Sequence, residues 1–291
     1  MHFSLVKLNP HPEQSAQPFD DVVLPLFFAF KKLNFDVEIR VNSLHPTAKN
    51  IIFGANQYSR LPLETIPRDS IIFNLEQVSS GDIWFTPQYV RMLRQFQVWD
   101  YSPRNCTELK ERFGIEAQCV RLGYVEEMTR IVSTSPPIYD VLFYGALNAR
   151  RVLALRELQR AGIRLYVPNG ILFGAERDEK IALSRIVVNI HFYLPATLEV
   201  ARIGYLLANK RVVVSERAND TEIPSELDEA CIYTPYESLE KTIITLLQDK
   251  EKIASQAEKG FEAFSVISQV DALRHVVGER KFPVKEIYFR C

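Results

Sequence analysis

Residues 139–216 open with YDVLFYGALNARRVLALRELQRAG (139–162) and close with TLEVARIGYLLANKRVVVSE (197–216). The first string is an apolar run that breaks at Gly145 and passes into helix-favouring residues. The second is a nearly all-apolar helix running straight into a β-branched strand. Strand, glycine, helix is an order that presents a helix N-terminus to an anion, because the first-turn N–H groups lack partners and the dipole is positive there. Asn148 suits the N-cap position. Arg150 and Arg151 then fall in the first turn, where an exposed cation opposes the dipole at about 0.3–1 kcal/mol. Two cations there predict a docked anion such as a diphosphate, or else two guanidinium groups pointing into water.

The totals narrow the class. With 291 residues there is room for one large domain or two medium ones. Thirty-five basic residues against 36 acidic ones give a net charge of -1, so bulk charge does not point to nucleic acid. The four cysteines, Cys106, Cys119, Cys231 and Cys291, include no CxxC pair, which argues against a zinc site or a disulfide framework and fits a reducing compartment. The start, MHFSLVKLNPHPEQ, lacks the apolar core of a signal peptide, and the run VVLPLFFAF is too short to span a bilayer. A cytoplasmic location is the expectation.

Outward from residues 139–216 the chain alternates. Before it come strands HFSLVKL, DVEIRV, NIIFGAN, SIIFNLEQ, QVWDYS and AQCVRLGYV, interleaved with helices at Val22–Leu33, TPQYVRMLRQF and PRNCTELKERFG. Thr86 and Pro87 mark the start of one of these helices and Gly114 the end of another. The pattern lapses at EEMTRIVSTSPP, read as a linker over 126–137. After it follow IRLYVP, AERDEKIALSR, IVVNIHF, CIYTP, ESLEKTIITLLQD and KEKIASQAEKGFEAF. The expectation is an α/β chain of two Rossmann-like, doubly wound halves, 1–125 and 138–267, facing a cleft, with a tail 268–291 packing back on the first half.

The ordered segments YDVLFYG-helix, FGAERDEKIALSRIVVNIHF, TLEVARIGYLLANKRVVVSE and CIYTPYESLEKTIITLLQD resemble the C-terminal half of GT-B glycosyltransferases of the group 1 kind. PFDDVVLPLFFAFKKLNFDVEI is similar to their N-terminal half. The resemblance covers most of the chain and is strongest from Asp140 to Phe264. It implies a metal-independent transferase whose C-terminal half holds a nucleotide-diphosphate sugar, a UDP-sugar by preference. The first half would hold the acceptor, whether glycan, lipid-linked or protein, and no cofactor is implied. By the same resemblance Gly145 lets backbone approach the diphosphate, Arg150 and Arg151 lie near it, and Asn189, Ile190 and His191 lie near the base. Glu199 matches the ribose-binding glutamate, with Arg202 one turn on. The family's second acidic residue, eight positions earlier, is His191 here, so the paired pattern is broken. Glu216 is a further candidate for ribose or sugar.

Each candidate has a structural alternative. Glu199 and Arg202 would form an internal ion pair on a buried helix. His191, between Ile190 and Phe192, would be a satisfied core residue, or a base or phosphate partner. Glu76 and Asp100 follow strands of the first half and are candidates for the base that deprotonates an acceptor hydroxyl. Asp100 competes with a capping role. Asn9, His11 and Gln14 follow the first strand and would line the acceptor side. Asp20 and Asp21 are adjacent rather than spaced as a DxD metal signature, and are expected to start a helix. No Walker loop or GxGxxG follows any strand, against an NTPase or a usual dehydrogenase. An epimerase on the same fold and a non-catalytic glycan- or partner-binding descendant are the competing functions. The terminal RKFPVKEIYFRC mixes basic and aromatic residues, for which packing is expected over membrane contact.

Overall fold

A computed structural model describes residues 1–9, 17–57, 63–78, 83–132, 135–170, 172–192, 198–218 and 221–278. The first half builds strands β1 (His2–Lys7), β2 (Asp36–Val41), β3 (Lys49–Phe53), β4 (Ile71–Asn74), β5 (Gln97–Asp100) and β6 (Ala117–Cys119). Helices α1 (Asp20–Lys32), α2 (Pro87–Gln95) and α3 (Pro103–Phe113) connect them. Local chemistry fixes the helix ends. Thr86 Oγ1 accepts from Tyr89 N at 3.2 Å with Pro87 at the first position, Ser102 Oγ accepts from Asn105 N at 3.2 Å, and Gly114 ends α3 in a left-handed conformation.

The second half builds β7 (Tyr139–Leu142), β8 (Leu165–Tyr166), β9 (Ser184–Asn189), β10 (Val212–Glu216) and β11 (Ile232–Thr234). Its helices are α4 (Ala149–Arg160), α5 (Gly174–Ala182), α6 (Val200–Ala208), α7 (Leu239–Leu247), α8 (Lys250–Ser265) and α9 (Gln269–Val277). The central strands are apolar on both faces because helices cover both.

Both sheets are wholly parallel, in the orders β2-β1-β3-β4-β5-β6 and β8-β7-β9-β10-β11. Each half thus places its second strand on one side of its first and the remainder on the other. The direction of winding reverses between β1 and β3 and again between β7 and β9. At such points no crossover helix covers the carboxyl ends of the strands, and a crevice opens there.

One apolar cluster runs through both halves, joining Phe3, Leu26 and Phe30 to Val125 and Met128 and on to Leu206, Phe264 and Leu273. Helix α9 packs on α1, and Gln269 ties it to the first half by accepting from Gly123 N at 2.9 Å. The segment read as a linker is pinned where it is described. Arg130 N and Ile131 N both donate to Asn209 Oδ1 at 2.8 Å. Asp21 opens α1 as expected, and it also bonds Arg177 of the second half at 2.7 Å. The readings on His11, Gln14 and residues 279–291 lie outside the described residues.

Candidate functional site

The crevice between β7 and β9 gathers most of the side chains singled out in the second half. Asn148 caps α4, accepting from Arg151 N at 2.9 Å, and its amide donates to Phe192 O at 3.0 Å. The cap therefore ties the start of α4 to the loop after β9. Gly145 has φ +136, and a Cβ there would stand 2.7 Å from Arg202 Nη2. Arg202 lies across this backbone, 5.1 Å from the Tyr144 ring, and donates to Asn189 Oδ1 at 3.2 Å.

Asn189 is fully buried and acts as the hub. Its amide donates to Glu199 Oε2 at 2.8 Å and to Ser215 Oγ at 3.1 Å. Glu199 stands at the N-terminal boundary of α6, and its carboxylate meets His191 Nδ1 at 3.0 Å. Burial alone would lower the His191 pKa, but the hydrogen bond and charge of Glu199 outweigh it and raise the value. For Glu199 burial works upward, and His191, Arg202 and Asn189 together bring it below the usual carboxylate value.

At the carboxyl end of β10, Glu216 receives both Nη groups of Arg150, one at 2.6 Å, and accepts from His191 N at 3.0 Å. Arg150 stacks 3.9 Å over Tyr236, whose hydroxyl donates to Arg150 O at 2.7 Å. Arg151 is 3% exposed and donates to Ile190 O at 2.9 Å and to Ala146 O at 2.7 Å. Burial depresses its pKa to about 10.

In the first half a second polar group forms at the carboxyl ends of β4 and β5. Asn74 donates to Asp100 Oδ2 at 2.6 Å and to Glu76 O at 2.9 Å, and accepts from Tyr89 Oη at 2.9 Å. Asp100 is fully buried, and Ser102 N and Asn105 Nδ2 donate to its other oxygen at 2.8 and 3.1 Å. The Glu76 side chain accepts from Asn56 Nδ2 at 2.8 Å. Burial pushes both carboxyls up to about 7. Half-buried Tyr101 holds its proton more tightly than a free phenol, first through burial and then through the charges of Asp100, Glu199 and Glu76. With Leu198 and Val200 of the second half it lines one cavity.

No known family profile matches the chain. Uncharacterized protein L140 of Acanthamoeba polyphaga mimivirus is 23% identical over 195 residues, 62% of this chain; the match spans 60% of that protein's length. Among solved structures, sucrose-phosphate synthase from Thermosynechococcus elongatus superposes with a TM-score of 0.62 at 11% identity, covering 94% of this chain and 96% of that one. Anabaena HepE, in complex with UDP and glucose, gives 0.59 at 13% identity over 94% and 98% of the two chains. WaaG, a glycosyltransferase of lipopolysaccharide biosynthesis, gives 0.57 at 10% identity over 95% and 100%. Two parallel α/β sheets, matched over nearly the full length of known glycosyltransferases, decide the architecture. The fold is GT-B.

Within the GT-B frame several expectations change. Arg150 and Arg151 neither point into water nor stand open to an anion, because Glu216 and two backbone carbonyls hold them. Glu216 has both oxygens engaged and is 1% exposed, so it offers no face to a ribose or sugar. Glu199 and Arg202 do not form the internal ion pair of the structural alternative; Asn189 bonds each of them. His191 is a buried histidine with both ring nitrogens engaged, the satisfied core residue of the structural alternative, rather than one with a free nitrogen in the crevice. Its Nδ1 faces Glu199 and its Nε2 lies 3.3 Å from Thr221 Oγ1. Asp100 is saturated by three donors and shapes the turn into α3 rather than meeting a hydroxyl. Glu199, 20% exposed in its side chain, and Glu76 are only partly buried. Asn9 N donates to Asn42 Oδ1 at 2.6 Å, at the end of β1. Among the described residues no group of His, Cys, Asp or Glu forms a metal cluster, and no helix is long and apolar enough to cross a membrane. Tyr101, Asn74, Tyr236 and Thr221 escaped sequence reading, since only packing makes them neighbours of the site.

Proposed function

We propose that the chain transfers a sugar from a nucleotide diphosphate, UDP by preference, to an acceptor hydroxyl held by the first half. The observation that carries this reading is the β7/β9 crevice, where a glycine turn, a helix start and the Asn189–Glu199–His191 network meet on a GT-B fold. The HepE complex with UDP and glucose supports the choice of donor. In this reading the diphosphate lies at Gly145 and the start of α4, where Ala149 and Arg150 N–H fall outside the helix ladder. Arg202 supplies the mobile positive charge, and Glu199 accepts from ribose hydroxyls. The acceptor oxygen bonds to the anomeric carbon as the bond to the phosphate oxygen breaks. UDP leaves with the bonding pair, and the acceptor proton passes to Glu76, whose raised pKa suits a base at neutral pH. Fixed dipoles and the Arg202 guanidinium stabilise the leaving group in place of a metal ion.

A thermal-shift panel of UDP, GDP, dTDP, ADP and CMP, with and without EDTA, tests the donor site. A nucleotide at a hundred times its Kd stabilises by about 2.7 kcal/mol. UDP should raise Tm regardless of EDTA, and Glu199→Gln together with Arg202→Ala should abolish the effect. A protein that no nucleotide stabilises has no donor site of this kind. UDP binding without turnover across acceptors would instead assign a non-catalytic binder, a reading that the broken pairing of Glu199 with His191, implied by the resemblance, keeps in view.

A further inference from the structure

Beside the donor crevice, a cavity of about 340 Å³ lies between the two halves. Its walls are mostly apolar, drawn from Leu122 after β6, Leu198 and Val200 at the start of α6, Ile223 and Pro224 between β10 and β11, and Ile267 before α9. Leu198 and Val200 are the chain neighbours of Glu199, so this wall and the proposed ribose contact belong to one turn. Tyr101 also lines the cavity. The volume lies in the range of small-molecule sites, which favour domain interfaces and combine apolar walls with a few polar groups.

Charge limits the occupant. Among the described residues the charged groups lining the cavity are Arg121, Glu222 and Glu226, one cation against two anions. Arg121 Nη1 is already paired with Glu226 Oε1 at 2.9 Å, from the first half to the second. Glu222 is exposed, and with Arg121 and Glu226 paired the described lining carries one excess negative charge. A phosphorylated or carboxylated compound is repelled there, whereas a neutral or cationic one is not.

We infer that this cavity is the acceptor's body-binding subsite, and that the acceptor is a neutral or cationic hydroxyl compound with an apolar, ring-sized body. The inference rests on the donor reading, since a hydroxyl near Tyr101 matters only if UDP-sugar occupies the neighbouring crevice.

The test uses 2-naphthol and its charged counterpart 2-naphthyl phosphate as probes, followed by ligand-observed NMR on the full chain. UDP binding is measured in parallel so that failure of the donor site is seen separately. 2-Naphthol should bind with and without UDP, and the phosphate at least tenfold more weakly. Ile223→Trp, which fills the cavity, should weaken 2-naphthol at least tenfold while the UDP shift stays at the wild-type value. Glu222→Lys, a surface change that leaves the packing intact, should narrow the gap between the two probes. No binding of 2-naphthol, binding indifferent to Ile223→Trp, or equal affinity for the phosphate would each overturn the inference.

Discussion

At the scale of single residues, the site is governed by what buried polar groups require. His191 and Glu199 have pKa values moved apart, upward and downward, by their mutual contact. The contribution of His191 is full below its unfolded value near ~6.5 and is lost as pH rises through the raised folded value. That of Glu199 is full above ~4.3 and is lost as pH falls through its lowered folded value. A double-mutant cycle of His191→Gln and Glu199→Gln should therefore show a coupling of about 1.5–3 kcal/mol at pH 5–6 that declines above it. Coupling constant to pH 9 in urea unfolding would contradict a charged pair. Glu76 predicts a second pH effect. If it takes the acceptor proton, kcat/KM rises through pH about 7, and Glu76→Gln removes that limb while sparing UDP binding. As a raised carboxyl it also lowers stability as pH climbs from the unfolded value towards about 7, and the same variant should flatten that slope.

At the scale of elements, the β7–Gly145–α4 connection sets the crevice. Its glycine is required by backbone conformation more than by space. The atom nearest an added Cβ is Arg202 Nη2 at 2.7 Å, the end of a flexible side chain, whereas φ +136 remains strained for any other residue. Gly145→Ala should cost about 1–3 kcal/mol. It should also reduce the Tm shift with UDP, by displacing Arg202 from Asn189. Unchanged stability and an unchanged UDP shift in this variant would remove the turn from the site.

At the scale of the whole molecule, the halves are joined by a continuous apolar cluster and by a polar clasp. Arg177, 3% exposed, bonds Asp21 of α1 at 2.7 Å and lies 4.2 Å from the Tyr205 ring. Tyr205 Oη donates to Asp178 at 2.7 Å, and Arg130 reaches Asp178 at 3.1 Å. Burial raises the Asp21 pKa despite its arginine partner, so the clasp depends on having both members. Arg177→Met should lower stability by about 3–5 kcal/mol by leaving Asp21 buried and uncompensated. Arg177→Met with Asp21→Asn should recover part of that loss. Urea unfolding decides the point, and a double variant no more stable than the single one would mean that the clasp contributes through packing alone.

The sequence by itself determined the two-half α/β architecture, the glycine turn and the cap at Asn148. These depend on apolar runs, helix caps and turn residues, which act over a few positions of chain. Thr86, Pro87, Gly114 and Asn148 were legible for that reason. Only the tertiary structure decided which charges are already engaged. Arg150 and Glu216 stand 66 residues apart, and Arg151 and Ile190 stand 39 apart. A guanidinium adjacent to a helix start reads the same in sequence whether it awaits an anion or is buried against carbonyls. Desolvation separates the two cases, and it depends on how the β9 and β10 ends close over α4.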